Sequence, residues 1–347
     1  MISQASLLDD LAYLRSGDPQ DMLGYVARLP DMTTMAFARG AAWLPPVAKP
    51  DRIAVVGMGG SAISGDLART LLVSRWEVPI AVIRQASLPS WLKTESTLLI
   101  FLSYSGETAE TCQAFQETLA YDFPVAAVTC GGTLGNLAAA RGAPVLQLTP
   151  GWQPRAALGE LYFTLLGMLS CLGAPVDPGP ASFRLARLRE DYGPNASGNL
   201  AKQLAADLAR FFPVILGVAG STEAVALRWK CQLNENAKRT CLYNIFPELT
   251  HNEIVNLVES PEERTFVVLR DPLDSSLINR QIRHTRELLG GLTHDLLASG
   301  DDPLERQLSL LYLGDYVSVY LALLRGIDPT PVSPITALKK RMKDVPE

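Results

Sequence analysis

A short apolar segment that leads into a glycine-rich turn and then a helix-like pattern occurs twice in this sequence. The first copy is Ile53-Ala-Val-Val-Gly-Met-Gly-Gly-Ser61, and the second, 160 residues later, is Pro213-Val-Ile-Leu-Gly-Val-Ala-Gly-Ser221. Strand, glycine turn and helix together form the first unit of a doubly wound α/β domain. The repeat therefore predicts an α/β protein with two similar lobes, each a parallel sheet flanked by helices.

The rest of the chain divides around these two units. Residues 1–50 carry leucines at helical spacing and end in a run of prolines, which predicts a helical N-terminal segment. The proline-rich stretch 175–180 predicts a connector between the lobes. We therefore expect N-terminal helices over 1–50, a first lobe over 51–175 and a second lobe over 176–347.

Apolar runs bounded by turn residues predict the further strands of each lobe. In the first lobe they cover 80–83, 97–102, 125–129 and 145–148, and in the second 240–246, 264–270 and 292–297. Helices are predicted over 199–211 and 279–289. Residues 304–325 predict a long amphipathic helix with one buried side.

Three hydroxyl side chains follow the strand predicted over 97–102. They are Ser103, Ser105 and Thr108, and Gly106 lies between them. Hydroxyls and the free amides of a helix N-terminus can hold a phosphate without a fixed positive charge. Helix capping is the alternative, but it accounts for one hydroxyl and not three. The stretch therefore favours an anion site. The glycine turn after the strand that begins at Ile53 does not follow the G-x-G-x-x-G pattern of dinucleotide-binding domains, so the sequence gives little support for a dinucleotide site.

Arg155 follows the turn Pro150-Gly-Trp-Gln-Pro154 and is expected in the first turn of an apolar helix that runs to about residue 172. A cation at the N-terminus of a helix interacts unfavourably with the helix dipole, so its presence there requires another explanation. A ligand anion is one reason. An exposed, solvated arginine is the other, and the sequence leaves both open.

A carboxylate and an imidazole suited to proton transfer lie 16 residues apart in the second lobe. Glu235 lies in the segment Asn234-Glu-Asn-Ala-Lys238, near the end of a predicted helix, and His251 lies in Pro247-Glu-Leu-Thr-His-Asn-Glu253. The alternatives are a solvated glutamate on a helix face and a loop histidine that caps a helix. By composition alone, Lys339 and Lys340 are charges of the C-terminal segment.

Composition and charge exclude several classes of protein. A formal net charge of −5 argues against a general nucleic-acid binder. Five scattered cysteines and three histidines show no metal-ligand spacing, so no metal site is expected. The first ten residues lack a signal-peptide pattern, and the longest nearly uncharged apolar run, 161–176, is short for a membrane span. We expect a cytoplasmic protein that binds no membrane.

Together, four motifs resemble the bifunctional phosphoglucose/phosphomannose isomerase family of the sugar isomerase (SIS) domain superfamily. They are Gly57-Met-Gly-Gly-Ser61, Ser103-Tyr-Ser-Gly-Glu-Thr-Ala-Glu-Thr111, Asn234-Glu-Asn-Ala-Lys238 and Pro247-Glu-Leu-Thr-His-Asn-Glu253. The resemblance implies a homodimer that interconverts glucose 6-phosphate, and mannose 6-phosphate as well, with fructose 6-phosphate. The implied reaction needs no cofactor and moves a proton through a cis-enediol.

The resemblance also implies roles for single residues. Glu235 would move the proton between C1 and C2, and Arg155 would stabilise the enediolate. His251 of the partner subunit would assist ring opening together with a C-terminal lysine, assigned to Lys339 with its neighbour Lys340 as the alternative. The phosphate would be bound by Ser103, Ser105 and Thr108. The sugar site would be lined by Gly60 and Ser61.

Mannose 6-phosphate turnover would depend on a small residue near the C-terminal lysine, for which Thr330, Val332 and Ser333 are the candidates. Two other functions remain open, an SIS-domain isomerase of another phosphosugar and a non-catalytic sugar-phosphate sensor. A sensor is disfavoured because residues 1–50 are not basic and because Glu235 and His251 are both present.

Overall fold

The computed structural model describes residues 4–92, 94, 96–259 and 261–343. In this part of the chain the strands are β1 (Arg52–Val56), β2 (Ile80–Ile83), β3 (Thr97–Leu102), β4 (Val125–Thr129), β5 (Val145–Gln147), β6 (Phe212–Val218), β7 (Leu242–Phe246), β8 (Arg264–Arg270) and β9 (Leu292–Leu297). The helices are α1 (Gln4–Leu7), α2 (Leu11–Gly17), α3 (Met22–Ala27), α4 (Leu29–Ala41), α5 (Gly59–Leu72), α6 (Ala109–Glu117), α7 (Gly132–Arg141), α8 (Leu158–Cys171), α9 (Gly179–Tyr192), α10 (Leu200–Arg210), α11 (Glu223–Glu235), α12 (Ile254–Leu257), α13 (Ser276–Leu289), α14 (Pro303–Leu324) and α15 (Ser333–Lys343).

The strands form two parallel sheets. The first has the order β2-β1-β3-β4-β5 and the second the order β7-β6-β8-β9. The direction in which strands are added reverses beside β1 and beside β6, and ligands of open α/β sheets bind at the carboxyl ends of strands next to such a reversal. The prediction of an α/β fold with two parallel-sheet lobes and N-terminal helices is confirmed. The limits of the three segments at residues 50 and 175 stay predictions.

Both faces of the first sheet are covered, which explains why its strands are continuous apolar runs. Ile53 and Val55 of β1 point into one core cluster, and the alternate residues Ala54 and Val56 point into another. The first of these clusters also contains Ile215 of the second sheet. One hydrophobic core therefore lies between the two sheets and belongs to both lobes.

Helix α14 lies in this shared core. Every residue from 306 to 323 is buried, so the prediction of an amphipathic helix with one buried side was wrong. Its polar side chains are satisfied inside the protein, and Gln307 Nε2 donates to the carbonyl of Leu67 at 3.0 Å. Among the described residues, α14 is the one helix long and apolar enough to span a membrane. Because 94% of that apolar window is buried in the protein, it has the features of a core helix.

The N-terminal helices pack on the first lobe through a close backbone crossing of α4 and α8. A Cβ atom at Gly40 would lie 2.0 Å from the Thr164 carbonyl oxygen, and one at Gly167 would lie 2.2 Å from that of Phe37. Only glycine allows this approach. The proline-rich connector ends earlier than expected, because α9 begins at Gly179 with Pro180 in its first turn, where proline is favoured.

Candidate active site

The carboxyl edge of the first sheet faces the C-terminal end of α11 from the second lobe. Arg155, in the loop after β5, donates a hydrogen bond from Nε to Oδ1 of Asn236, the C-cap residue of α11, at 2.6 Å. The glycine turn after β1 lies beside the same loop, since a Cβ atom at Gly60 would be 3.6 Å from the Pro154 carbonyl oxygen. Ser61 is buried in the first turn of α5. Gly60, Ser61, Arg155 and Glu235 therefore lie close together where the two lobes meet, a place called the cleft from here on.

The turn between β3 and α6 brings the three predicted hydroxyls together. Ser103 is buried, and its Oγ accepts from the Gly106 amide at 3.2 Å and lies 3.0 Å from Thr108 Oγ1. Thr108 is the N-cap residue of α6 but makes no capping hydrogen bond through its side chain. Ser105 is exposed, and its Oγ accepts from the Glu107 amide at 3.2 Å. The turn thus presents Ser105 and Thr108 at a helix N-terminus above a buried Ser103, an arrangement suited to an anion.

Gly106 makes this turn possible. Its φ is 71°, in the left-handed region that side chains disfavour, and a Cβ atom there would lie 1.8 Å from the Gly131 carbonyl oxygen. No other residue fits both requirements without moving the loop after β4.

Arg155 lies three residues before α8, so its predicted place in the first helical turn was wrong. The amides of Ala156 and Ala157 both donate to the Gln153 carbonyl, which forms a separate turn before the helix begins. The guanidinium is buried, and Nη2 donates to the carbonyls of Pro329 and Thr330, each at 2.7 Å. Burial lowers the pKa of Arg155, and the nearby charge of Glu235 opposes that shift. The alternative of an exposed surface arginine is therefore excluded.

Glu235 is half-buried at the last position of α11. Among the described residues its carboxylate has no hydrogen-bond partner, while the backbone around it is fixed by its neighbour. Asn236 is fully buried and donates from Nδ2 to Ser318 Oγ at 2.9 Å, in addition to accepting from Arg155. Asn234 is exposed. A free carboxylate thus lies beside a buried cation on a rigid support, which suits a general base.

His251 is not part of this cleft within one chain. It is exposed in the short 3₁₀ turn Glu248–His251, which follows the carboxyl end of β7, whereas α11 ends at Glu235 before β7 begins. Five strand residues separate the two edges of the sheet by about 15 Å. Lys339 and Lys340 lie exposed on α15. The interpretation of Glu235 and His251 as a pair therefore fails within a single subunit.

A buried ion pair supports the cleft from below, and sequence analysis missed it. Arg228 of α11 donates from Nε and Nη2 to the two carboxylate oxygens of Asp315 at 2.9 and 2.8 Å. Nη2 also donates to the Arg155 carbonyl at 3.2 Å, and Gln232 donates to Asp315 at 3.1 Å. A signal was present, since Asp315 is the only acidic residue between 306 and 324 of an otherwise apolar stretch.

The second copy of the repeated unit is built differently. A cavity of about 380 Å³ lies at the carboxyl edge of the second sheet, beside Gly220, Ser221 and Thr222. Glu223 Oε2 accepts from the Gly220 amide at 3.2 Å, and Thr222 Oγ1 donates to the Leu269 carbonyl at 2.7 Å. The Gly220 amide and the Thr222 hydroxyl are thus already engaged, whereas Ser221 Oγ has no hydrogen-bond partner among the described residues. Among the described residues, no three His, Cys, Asp or Glu side chains are grouped as a metal site.

Two protein families match the chain, one in each lobe. The family described as "SIS domain" matches residues 47–147. The family described as "Bacterial phospho-glucose isomerase C-terminal SIS domain" matches residues 197–342.

Similar proteins cover most of the chain. It is 39% identical over 308 residues to the bifunctional phosphoglucose/phosphomannose isomerase of Caldicellulosiruptor bescii, which covers 85% of this chain and 90% of that protein. The protein of the same name from Aquifex aeolicus is 32% identical over 304 residues, or 84% of this chain and 90% of that one. A solved structure, of a hypothetical protein from Thermus thermophilus, matches in fold with a TM-score of 0.75 at 17% identity, over 98% of this chain and 95% of that chain.

Proposed function

The chain belongs to the family of bifunctional phosphoglucose/phosphomannose isomerases, and from that premise we propose that it interconverts glucose 6-phosphate and mannose 6-phosphate with fructose 6-phosphate. The observation that carries the proposal is the buried Arg155 guanidinium beside the Glu235 carboxylate, which has no hydrogen-bond partner in the described part of the chain. Isomerisation of a hydroxy aldehyde needs one base for the proton next to the carbonyl and one cation for the oxygen that becomes negative.

In this reaction Glu235 removes the proton from C2 of the open-chain aldose and returns it to C1, which gives the ketose through an enediolate. Arg155 stabilises the negative oxygen of that intermediate. Its hydrogen bonds to Asn236, Pro329 and Thr330 hold the guanidinium in place before the substrate binds. A charge that is already oriented costs no reorganisation when the transition state forms.

The turn Ser103–Thr108 would bind the phosphate, with Gly60 and Ser61 along the sugar. Ser105 and Thr108 offer hydroxyls and the N-terminus of α6 offers free amides, so the phosphate is held without a lysine or arginine. This grip fixes the far end of the sugar. Carbons 1 and 2 are then held next to the Glu235 carboxylate. Holding the reacting atoms in the correct orientation in this way increases the reaction rate.

Thr330 is the candidate for the small residue that leaves room at C2 for the mannose epimer. It is buried beside Arg155, and its Oγ1 has no hydrogen-bond partner among the described residues. Val332 and Ser333 are more exposed; Val332 directly precedes α15 and Ser333 is its first residue. Thr330 is thus the best placed of the three candidates to contact the reacting end of the sugar.

A coupled assay on purified protein with fructose 6-phosphate tests this function. Glucose 6-phosphate and mannose 6-phosphate are read out separately, with and without a chelator, and both are expected at rates that the chelator leaves unchanged. If glucose 6-phosphate were the one product formed, the proposed turnover of mannose 6-phosphate would be contradicted. Neither product, from folded protein that still binds a hexose 6-phosphate, would refute the isomerase and favour another phosphosugar or a sensor.

The position of His251 supports a homodimer as the working unit. His251 is exposed and lies at the opposite edge of the second sheet from Glu235, so in our proposal a second subunit brings the two together. In this arrangement the partner's imidazole assists ring opening, together with Lys339 or the adjacent Lys340.

Mixing two inactive variants tests the shared site. Glu235→Gln and His251→Asn are each expected to have low activity as homodimers. After mixing and subunit exchange, about one quarter of all sites should combine an intact Glu235 with an intact His251, which predicts about a quarter of the unaltered activity. Unaltered protein carried through the same exchange is the control. No recovery despite proven exchange would show that the two residues do not act across subunits.

A further inference from the structure

Lys238 has an unexplained conformation and an unexplained set of partners. Its φ is 48°, in the left-handed region that glycine and asparagine adopt most easily, and it lies two residues after Asn236, the C-cap of α11. A residue with a Cβ atom is strained in this conformation, whereas glycine is not. The side chain must therefore contribute something that glycine cannot.

All three hydrogen bonds of the Lys238 ammonium go to main-chain carbonyls. They are those of Asn236 at 3.2 Å, Asp328 at 3.1 Å and Pro329 at 3.0 Å. Although the residue is exposed overall, its charged end points back at the protein. Burial of the ammonium and the neighbouring charge of Arg155 both lower the pKa of Lys238.

Helix capping accounts for only one of these bonds. The Asn236 carbonyl belongs to the end of α11, and a cation is favourable at that end of a helix. The next carbonyls, of Ala237 and Lys238, are already bound by Arg325 at 2.6 and 3.0 Å. The other two bonds of Lys238 cross to a segment about 90 residues later in the chain.

That segment, Asp328–Thr330, is the one that holds Arg155. The Pro329 carbonyl accepts from Arg155 Nη2 at 2.7 Å and from Lys238 Nζ at 3.0 Å, so two cations share one oxygen. The segment continues through Pro331 into α15, which carries Lys339 and Lys340. Anything that moves it shifts both the guanidinium and the start of the C-terminal helix.

We propose that Lys238 is a positioning residue of the isomerase reaction. Its ammonium fixes the Asp328–Thr330 segment, and through that segment it orients the Arg155 guanidinium toward the substrate. This inference rests on the proposed function. Lys238 itself contacts no reacting atom.

Three substitutions separate positioning from stability. Lys238→Gly removes the ammonium and relieves the backbone strain, Lys238→Met removes the charge at similar length, and Lys238→Arg keeps a cation. We expect kcat to fall roughly 10- to 100-fold in the glycine and methionine variants, because small displacements of a positioning group are costly. KM for fructose 6-phosphate should change by less than about threefold, since the phosphate turn is untouched. Arginine should restore most of kcat, and the midpoint of thermal unfolding of Lys238→Gly should not decrease.

A second measurement does not depend on activity. Hydrogen exchange of the peptide over residues 326–332 should be faster in Lys238→Gly than in the unaltered protein, and Lys238→Arg should restore protection. Unchanged exchange, or a Lys238→Gly variant with kcat within about twofold of the unaltered enzyme, would overturn the inference. If the unaltered protein isomerises no hexose 6-phosphate, the proposed function fails, and the exchange data still decide whether Lys238 fixes the segment.

Discussion

Replacing Glu235 with glutamine is expected to lower kcat by about 10²- to 10⁴-fold, the usual contribution of a positioned acid–base group. The amide has nearly the shape of the carboxylate but cannot accept the proton. The support from Asn236 is untouched, since it uses its own side chain to contact Arg155 and Ser318. Folding and phosphate binding should therefore persist.

Two readouts check this expectation. Turnover is followed in the coupled assay, and exchange of the C2 proton with solvent deuterium is followed by NMR. Glu223→Gln, at the other end of the same helix, is the matched control. Glu223 pairs with Arg69 at 2.5 Å and lies far from the cleft, so its substitution should leave kcat within about twofold. Retention of C2 exchange in Glu235→Gln would show that another group is the base.

Replacing Arg228 with methionine is expected to cost about 3–5 kcal/mol of stability, the usual penalty for breaking a buried ion pair from one side. Arg228 and its partner Asp315 are only 3% and 5% exposed. Without the guanidinium, Gln232 is the one residue in the described part of the chain that still donates a hydrogen bond to the carboxylate. The Arg155 carbonyl also loses a donor, so activity should decrease as well.

Urea unfolding at neutral pH measures this cost. Arg189→Met is the matched control, because Arg189 pairs with Asp31 at 3.0 Å on the surface. This substitution should lower the free energy of unfolding by less than about 1 kcal/mol. Burial already raises the pKa of Asp315, although Arg228 opposes the shift. When folding raises the pKa of a carboxyl, the folded state loses stability as pH rises above the pKa that the carboxyl has in the unfolded chain. The stability loss of Arg228→Met should therefore be smaller in acid than at neutral pH. A neutral-pH loss below about 1 kcal/mol would contradict the role of the pair.

The sequence predicts the strands well where a strand is one apolar run between turn residues. The strands over 97–102 and 264–270 have the predicted limits, because their apolar residues are buried in the sheet. The edge strand over 292–297 also has the predicted limits, although its residues are only half-buried or exposed. The turn that brings Ser103, Ser105 and Thr108 together could also be predicted, since the three hydroxyls and Gly106 are close together in the chain.

Features that depend on distant partners could not be read locally. Asp315 and Gln307 give 304–325 a polar side in the sequence, but Arg228 and the Leu67 carbonyl bury that side. Pro178-Gly-Pro180 has the composition of a linker, yet it begins α9. The separation of His251 from Glu235 follows from the direction of β7 within a parallel sheet, which motif spacing does not contain.

The core between the two sheets also determines how the protein can move and unfold. Lobes joined by a flexible linker can hinge around a substrate, but here opening one lobe away from the other would expose apolar side chains from both sheets and from α14. The residues that border the cleft are thus held in place before the substrate arrives. We expect the same core to couple the lobes in denaturation, so that a defect at Arg228 or Asp315 weakens the entire chain in one cooperative transition.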